Sequence, residues 1–236
     1  MESGNNDVFP NLILSSLPPG EIRTLHPLLE SQELPANTIL GDTDKPLSYA
    51  YFLNSGLASF VVPTKEGRSV EVGVAGKSGC VGAALAFGVR RSNLRIIMQV
   101  AGTGYRIRGE DLQRVVASTP GLFLRLGRFI LLQSMQAAQT AACNRLHNLQ
   151  QRLARWLLMT DDRVGAEFEM TQEYLAEMLG TGRPSVSITA SAMQRAGAIR
   201  YTRGLMKVVD RRRLETLSCE CYAAVRRFHE DLELAR

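Results

Sequence analysis

Between residues 34 and 108 the chain is written in short apolar runs, rich in Val, Ile, Tyr and Phe: Tyr49–Leu53, Leu57–Val62, Val70–Val74, Leu94–Val100 and Tyr105–Ile107. Asn54-Ser55-Gly56, Lys65-Glu66-Gly67, Gly76-Lys77-Ser78-Gly79 and Gly102-Thr103-Gly104 punctuate them with turn chemistry. Turns recurring about every 10–12 residues predict a small antiparallel sandwich or barrel. Ahead of it, Pro19–Ser31 predicts a short helix. From Gly109 the period lengthens from two to between three and four. Glu110–Ala117 predicts one helix, and Pro120 restarts another that runs to about Leu146. Leu122, Leu126, Phe129, Ile130, Gln133, Ala137, Thr140 and Ala141 recur along it at helical steps. A helix this long with a small-residue stripe suits close packing against a twin, or against its own sandwich.

Residues 148–160 predict a further amphipathic helix with Leu149, Leu153, Trp156 and Leu157 on one side, then a loop over Thr160–Phe168. Beyond it the pattern is unusual. Thr171 is a good N-cap before Gln172 and Glu173. Leu175, Ala176 and Leu179 make an inner face, and Gly180 stands where helices end. Pro184 suits the first turn of the next helix, whose inner face is Val186, Thr189, Ala190 and Met193. Its outer face carries Ser185, Ser187, Ile188, Ser191 and Arg195 instead of the usual Glu and Lys. Two short helices joined by a glycine turn predict a helix-turn-helix. Ile199–Tyr201 and Leu205–Val209, flanking Arg203-Gly204, predict a hairpin wing with a cationic tip.

Charge sharpens this picture. The chain of 236 residues carries a net charge of +5. Residues 181–213 hold eight basic residues and one acid, Asp210, while the rest is slightly acidic, 20 basic against 22 acidic. A one-signed cluster beside short hydroxyls fits a polyanion, and short side chains can enter a major groove about 12 Å wide. Thr171, Gln172, Arg183, Pro184, Ser185, Ser187, Ile188, Ser191, Arg195, Arg203 and Lys207 are the candidate DNA contacts. Arg183 is suited to a guanine edge, and Arg203 and Lys207 to phosphates.

The stretch TQEYLAEMLGTGRPSVSITASAMQRAGAIRY resembles the winged helix-turn-helix of the Crp/Fnr superfamily of bacterial transcription factors. The resemblance covers nearly the whole chain. It implies an α+β fold: an N-terminal cyclic-nucleotide-binding-like β-roll (residues 12–118), a dimerisation helix (119–146), a winged helix-turn-helix (147–215) and a helical tail (216–236). It also implies a cytoplasmic homodimer on a palindromic double-stranded operator, with RNA polymerase as a further partner. By motif position Arg183 matches the family's first base-reading arginine, and Ser185 a phosphate-contacting hydroxyl. Pro184 and Ile188 stand where many relatives place Glu and Arg, which implies a different operator.

Relatives that bind cyclic nucleotides use a Gly-Glu-Leu stretch and a downstream Arg-Ser/Thr-Ala. Gly82-Ala83-Ala84 and Arg91-Ser92-Asn93 occupy those places, so the ribose-binding carboxylate is replaced by Ala83. Gly82, Ala83, Arg91 and Ser92 are therefore the candidate effector positions of a degenerate site, with the effector unknown and cyclic AMP not expected. The roll as a plain docking scaffold is an equal reading.

Four cysteines show no CxxC pair and suggest reduced thiols. Cys219 and Cys221 are candidates for a soft metal or an oxidant, or are thiols with no role; no metal or other cofactor is assigned. No histidine lies between His26 and His147, so a histidine–carboxylate oxygenase site inside the roll is not available. No nucleophile has a spaced histidine partner, which leaves a non-enzyme. The N-terminus lacks a basic leader segment, and no apolar run of about 18 residues predicts a membrane span. The competing class is a signalling adaptor whose winged helix docks protein.

Overall fold

The computed structural model describes residues 9–232, so the expectations for the last residues of the tail lie outside the described residues. Two short helices open it, α1 (Leu12–Ser15), capped by Asn11, and α2 (Pro19–Leu25). The helix expected through Ser31 stops early. A single 3-10 turn covers His26–Leu28 around Pro27, and strand β1 (Glu30–Leu34) begins where helix was predicted. Its pairing partner, residues 102–108, is remote in sequence, so local propensity carried no sign of it.

The strands β2 (Ile39–Gly41), β3 (Tyr49–Leu53), β4 (Leu57–Pro63), β5 (Ser69–Ala75), β6 (Cys80–Val81), β7 (Arg95–Val100) and β8 (Gly102–Arg108) follow. They form two antiparallel sheets, β1-β8-β3-β6 and β2-β7-β4-β5, which make the β-roll. The residues Gly102 to Gly104, expected as a turn, are inside β8. Gly102 is there because a Cβ would sit 2.2 Å from the Ser55 carbonyl oxygen. Phe52, Leu53, Leu85, Met98 and Ile107 fill the roll.

Helix α3 (Gly109–Val115) leads to α4 (Pro120–Leu146), the long helix expected. Glu21 of α2 accepts hydrogen bonds from the Gly121 and Leu122 amides, at 2.9 Å each. That satisfies two of the orphan donors at the positive end of α4. Leu122, Leu126, Phe129 and Leu132 are buried in the roll's own core; burying each contributes about 1.5–3 kcal/mol. Much of the predicted stripe is therefore spent within the chain. A second face, with Phe123, Leu124, Ile130 and Leu131, is exposed.

Helix α5 (Leu149–Val164) starts at an Asn148–Gln151 capping box and outruns its expected end. Thr160 was read as opening a loop, but its hydroxyl donates back to the Trp156 carbonyl within the helix. Strand β9 (Glu167–Glu169) fills what was read as loop. Then come α6 (Gln172–Met178), α7 (Arg183–Arg195), β10 (Ile199–Thr202), β11 (Leu205–Val208), α8 (Arg211–Leu217) and α9 (Cys221–Asp231). A third antiparallel sheet runs β10-β11-β9. The core of this half packs Leu153, Trp156 and Leu157 of α5 against Leu175, Val186 and Met193, and joins the roll through Leu57, Val61 and Val74. Among the described residues no single helix is long and apolar enough to cross a membrane.

Candidate nucleic-acid interface

Thr171 caps α6, its hydroxyl accepting from the Tyr174 amide at 3.2 Å. Leu175, Ala176 and Met178 are buried, Leu179 closes the helix, and Gly180 follows with φ +58°. Glycine is needed there for that backbone. The side of Gly180 that a Cβ would occupy does not face α7. A Cβ on it would meet Val70 of β5, 3.4 Å away, so its face is turned to the roll. The β4–β5 hairpin lies against α6, where the Ser69 hydroxyl also donates to Glu177.

Helix α7 opens at Arg183 with Pro184 in its first turn. Val186, Ala190 and Met193 are buried, and Thr189 is half-buried. Arg183, Pro184, Ser185, Ile188, Ser191 and Arg195 are exposed and Ser187 half-buried. Ile188 shows 71% of its surface, unusual for an isolated branched apolar residue on a polar face. Arg183 is held 3.6 Å from Glu173 in an ion pair whose two side chains are both exposed, an interaction worth little in water.

The wing is a hairpin closed by Arg203 (φ +50°) and Gly204 (φ +84°). Two consecutive positive φ values make the tight turn whose twist matches its strands. Arg203 projects from the tip. The Lys207 ammonium pairs with Glu167 of β9 at 2.8 Å, in an ion pair whose two side chains are about half exposed. Glu167 lies in β9, which the apolar pattern of the sequence does not announce. Gln172 is half-buried in the first turn of α6.

The basic cluster is not all outward. Arg211 pairs with Asp161, Asp162 and Glu215 and bonds the Tyr222 hydroxyl. Arg213 bonds the Ala196 carbonyl and pairs with Asp210. Among the described residues Arg195, Arg200, Arg203 and Arg212 are exposed and enter no ion pair.

At the effector positions, Gly82 (φ +79°) starts a 3-10 turn over Ala83–Phe87, and Ala83 is buried at 3% exposure. Arg91 is exposed, and the Ser92 hydroxyl accepts from the Leu94 amide within its own loop. Cys219 and Cys221 are buried beside Cys143 of α4, with His147 at the end of α4 close by. Cys143 and His147 were not singled out from sequence. Their Cys-x-x-x-His spacing on a helix end was the available signal. The Cys143 thiol, hydrogen-bonded to Cys219, holds Cys219 below the ordinary thiol range.

Two helices with an outward, hydroxyl-faced second member and a basic hairpin make this a winged helix-turn-helix protein. Residues 151–217 match the family model of the Crp-like helix-turn-helix domain. FixK2 from Bradyrhizobium japonicum is similar in structure (TM-score 0.69, 15% identity, 81% of this chain and 98% of that one). So is CLP of Xanthomonas campestris, described as a c-di-GMP-responsive global regulator (0.67, 16%, 81% and 99%). A Crp/Fnr-family transcriptional regulator from Thermus thermophilus is a third (0.63, 19%, 80% and 98%). A search of the curated proteins found no match. The chain thus carries a Crp-like helix-turn-helix domain within the fold of Crp/Fnr-family transcriptional regulators.

Proposed function

We propose that this protein regulates transcription by binding a palindromic DNA operator as a homodimer. The observation that carries this is the outer face of α7 and the wing: small hydroxyls at Ser185 and Ser191, and arginines at 195, 200 and 203 without ion-pair partners among the described residues. Such a face costs little to bring against phosphates and leaves guanidinium groups for bases. Arg183 reads a guanine in this assignment. Its ion pair with Glu173 is exposed and easily exchanged for a base edge. The roll (12–118), long helix (119–146), winged domain (147–215) and tail (216–236) divide the labour into sensing, dimerisation, DNA binding and closure. Working on genomic DNA places the protein in the cytoplasm, with RNA polymerase as its further partner and no catalytic step of its own. Cyclic AMP is not the effector: Ala83 offers no acceptor to a ribose hydroxyl, a loss of about 1–3 kcal/mol in a buried site.

The test is one binding series over a randomised operator library. Arg183→Ala should cost about 1–3 kcal/mol per half-site and relax preference at one symmetric pair of positions. A uniform loss with an unchanged sequence preference would mean that α7 does not read bases.

The exposed face of α4 is the dimerisation surface in this reading. Leu124, Leu131 and Ala138 repeat every seven residues along it, beside Phe123 and Ile130. Leu124→Glu combined with Leu131→Glu should yield monomers by light scattering and abolish operator binding. A dimer that survives both substitutions sinks the assignment.

A further inference from the structure

The geometry points to a tetrahedral zinc site formed by Cys143, His147, Cys219 and Cys221, at the joint between the end of α4 and the α8–α9 turn. One ligand atom from each of the four lies within 4.8 Å of all the others. Cys143 Sγ and Cys219 Sγ are 3.5 Å apart, and Cys221 Sγ is 3.6 Å from His147 Nδ1. Zn–S bonds of about 2.3 Å and Zn–N bonds of about 2.0 Å give tetrahedral S···S edges of about 3.8 Å and S···N edges of about 3.5 Å. Two of the six edges are therefore already close to those of a one-metal cage, and the other four are no longer than 4.8 Å. The group is too tight for the sulfurs of a multi-iron cluster, which stand around several metals and sulfides.

The surroundings independently suit such an ion. His147 turns Nδ1 to the sulfurs and Nε2 to the Glu220 carboxylate, 3.2 Å away, the carboxylate–histidine–metal arrangement that orients a ligating imidazole. The Gln139 amide donates to Cys221 Sγ at 3.0 Å, a donor placed where a metal-bound thiolate would accept one. Arg155, with 4% of its surface exposed, acts electrostatically on Cys143. Its guanidinium bonds only the Thr140 hydroxyl among the described residues, and its Nε has no partner. Glu71 is another acidic group within its electrostatic reach. Three thiolates and one imidazole around Zn²⁺ make a centre of net charge −1, a favourable neighbour for a buried cation. Binding releases to solvent the protons that the thiols still carry and changes no oxidation state. Three thiolates and an imidazole in tetrahedral array select zinc over harder divalent ions. The ion would clamp the long helix to the turn that follows the winged domain.

The test uses full-length, reduced, chelator-stripped protein titrated with Co²⁺ and then Zn²⁺. One equivalent of Co²⁺ should produce the intense visible bands of a tetrahedral site and a thiolate charge-transfer band. Zn²⁺ should bleach both, with protons released to an indicator dye. Cys221→Ser and Cys143→Ser should each abolish the tetrahedral spectrum at one equivalent. Glu220→Gln, on the surface, should weaken binding about tenfold while keeping the spectrum. If Cys143→Ser does not fold, His147→Ala at the helix end carries the same expectation. An octahedral or absent cobalt spectrum in folded wild type overturns the proposal. So does a spectrum that survives these ligand substitutions, or a Cys143–Cys219 disulfide that forms readily while metal does not bind.

Discussion

The charged groups on the two sides of the winged half are put to opposite uses. At the seam with the roll they are buried and answered. Glu71 of β5 accepts from the Trp156 indole at 3.0 Å, and its other oxygen lies 2.6 Å from the Ser59 hydroxyl. Ser59 Oγ lies as close to Gln99 Oε1, 2.6 Å, yet a hydroxyl has one proton to give. A protonated Glu71 donating to Ser59, which donates to Gln99, satisfies all three. Burial pushes the Glu71 carboxyl up to about 7, although Ser59 and Trp156 would stabilise its ionised form. Arg163, half-buried, donates to the Met159 carbonyl and meets His229 Nε2 at 2.9 Å. Burial and this cation hold His229 down to about 3, so the ring is a neutral acceptor. On the outer face, by contrast, Arg195, Arg200 and Arg203 meet only solvent among the described residues. The same residue types thus hold two halves together on one side and stand ready for a partner on the other. Their number along the chain does not separate the two uses; their neighbours do.

The comparison can be broken first at Glu71. Its folded value of about 7 lies above the ordinary 4.5, so the folded state holds a proton that the unfolded chain releases. The stabilisation is complete below about pH 4.5 and lost as pH rises through about 7, a change of about 3 kcal/mol. Denaturant unfolding of wild type and Glu71→Gln across that window should therefore diverge, with the variant relatively more stable at the alkaline end. Parallel profiles would show that Glu71 is ionised in the seam. Next comes Arg211. Replacing it with Met strands Asp161, which is only 10% exposed. Because Arg211 itself is 38% exposed, the cost is discounted from the fully buried case to about 2 kcal/mol. Thermal unfolding should register that loss, while the preferred operator sequence stays unchanged; a changed preference would move Arg211 to the outer face. The smallest effects belong to the wing. Arg203→Ala should weaken all DNA sequences alike and flatten the salt dependence by about one unit per half-site. Lys207→Ala should do less, because Glu167 already holds its charge. Equal slopes for the two variants would show that the Glu167 pair opens on DNA.

What could be read from residue order was local. The turn-bounded apolar runs located the strands Tyr49–Leu53, Leu57–Pro63 and Ser69–Ala75 almost to the residue. Pro120 and the periodicity behind it located α4. Thr171, Gly180 and Pro184 carry their own backbone instructions as cap, left-handed terminator and first-turn residue, so the helix-turn-helix was legible before any packing was known. Contacts between distant segments decided the rest. β1 and β9 exist because β8 and β11 offer edges to them, and neither Glu30–Leu34 nor Glu-Phe-Glu carries enough apolar pattern to announce a strand. The long helix wrote two apolar faces into one sequence, and only the roll beneath it settled which was already covered. Arg203 and Arg211 are alike in sequence, but one meets solvent and the other meets Asp161 and Asp162. Cys143 and Cys219 lie far apart along the chain and 3.5 Å apart in space. Periodicity and turn chemistry act over a few residues and survive in the sequence, whereas pairing, burial and ion-pair choice depend on which remote segment folds alongside.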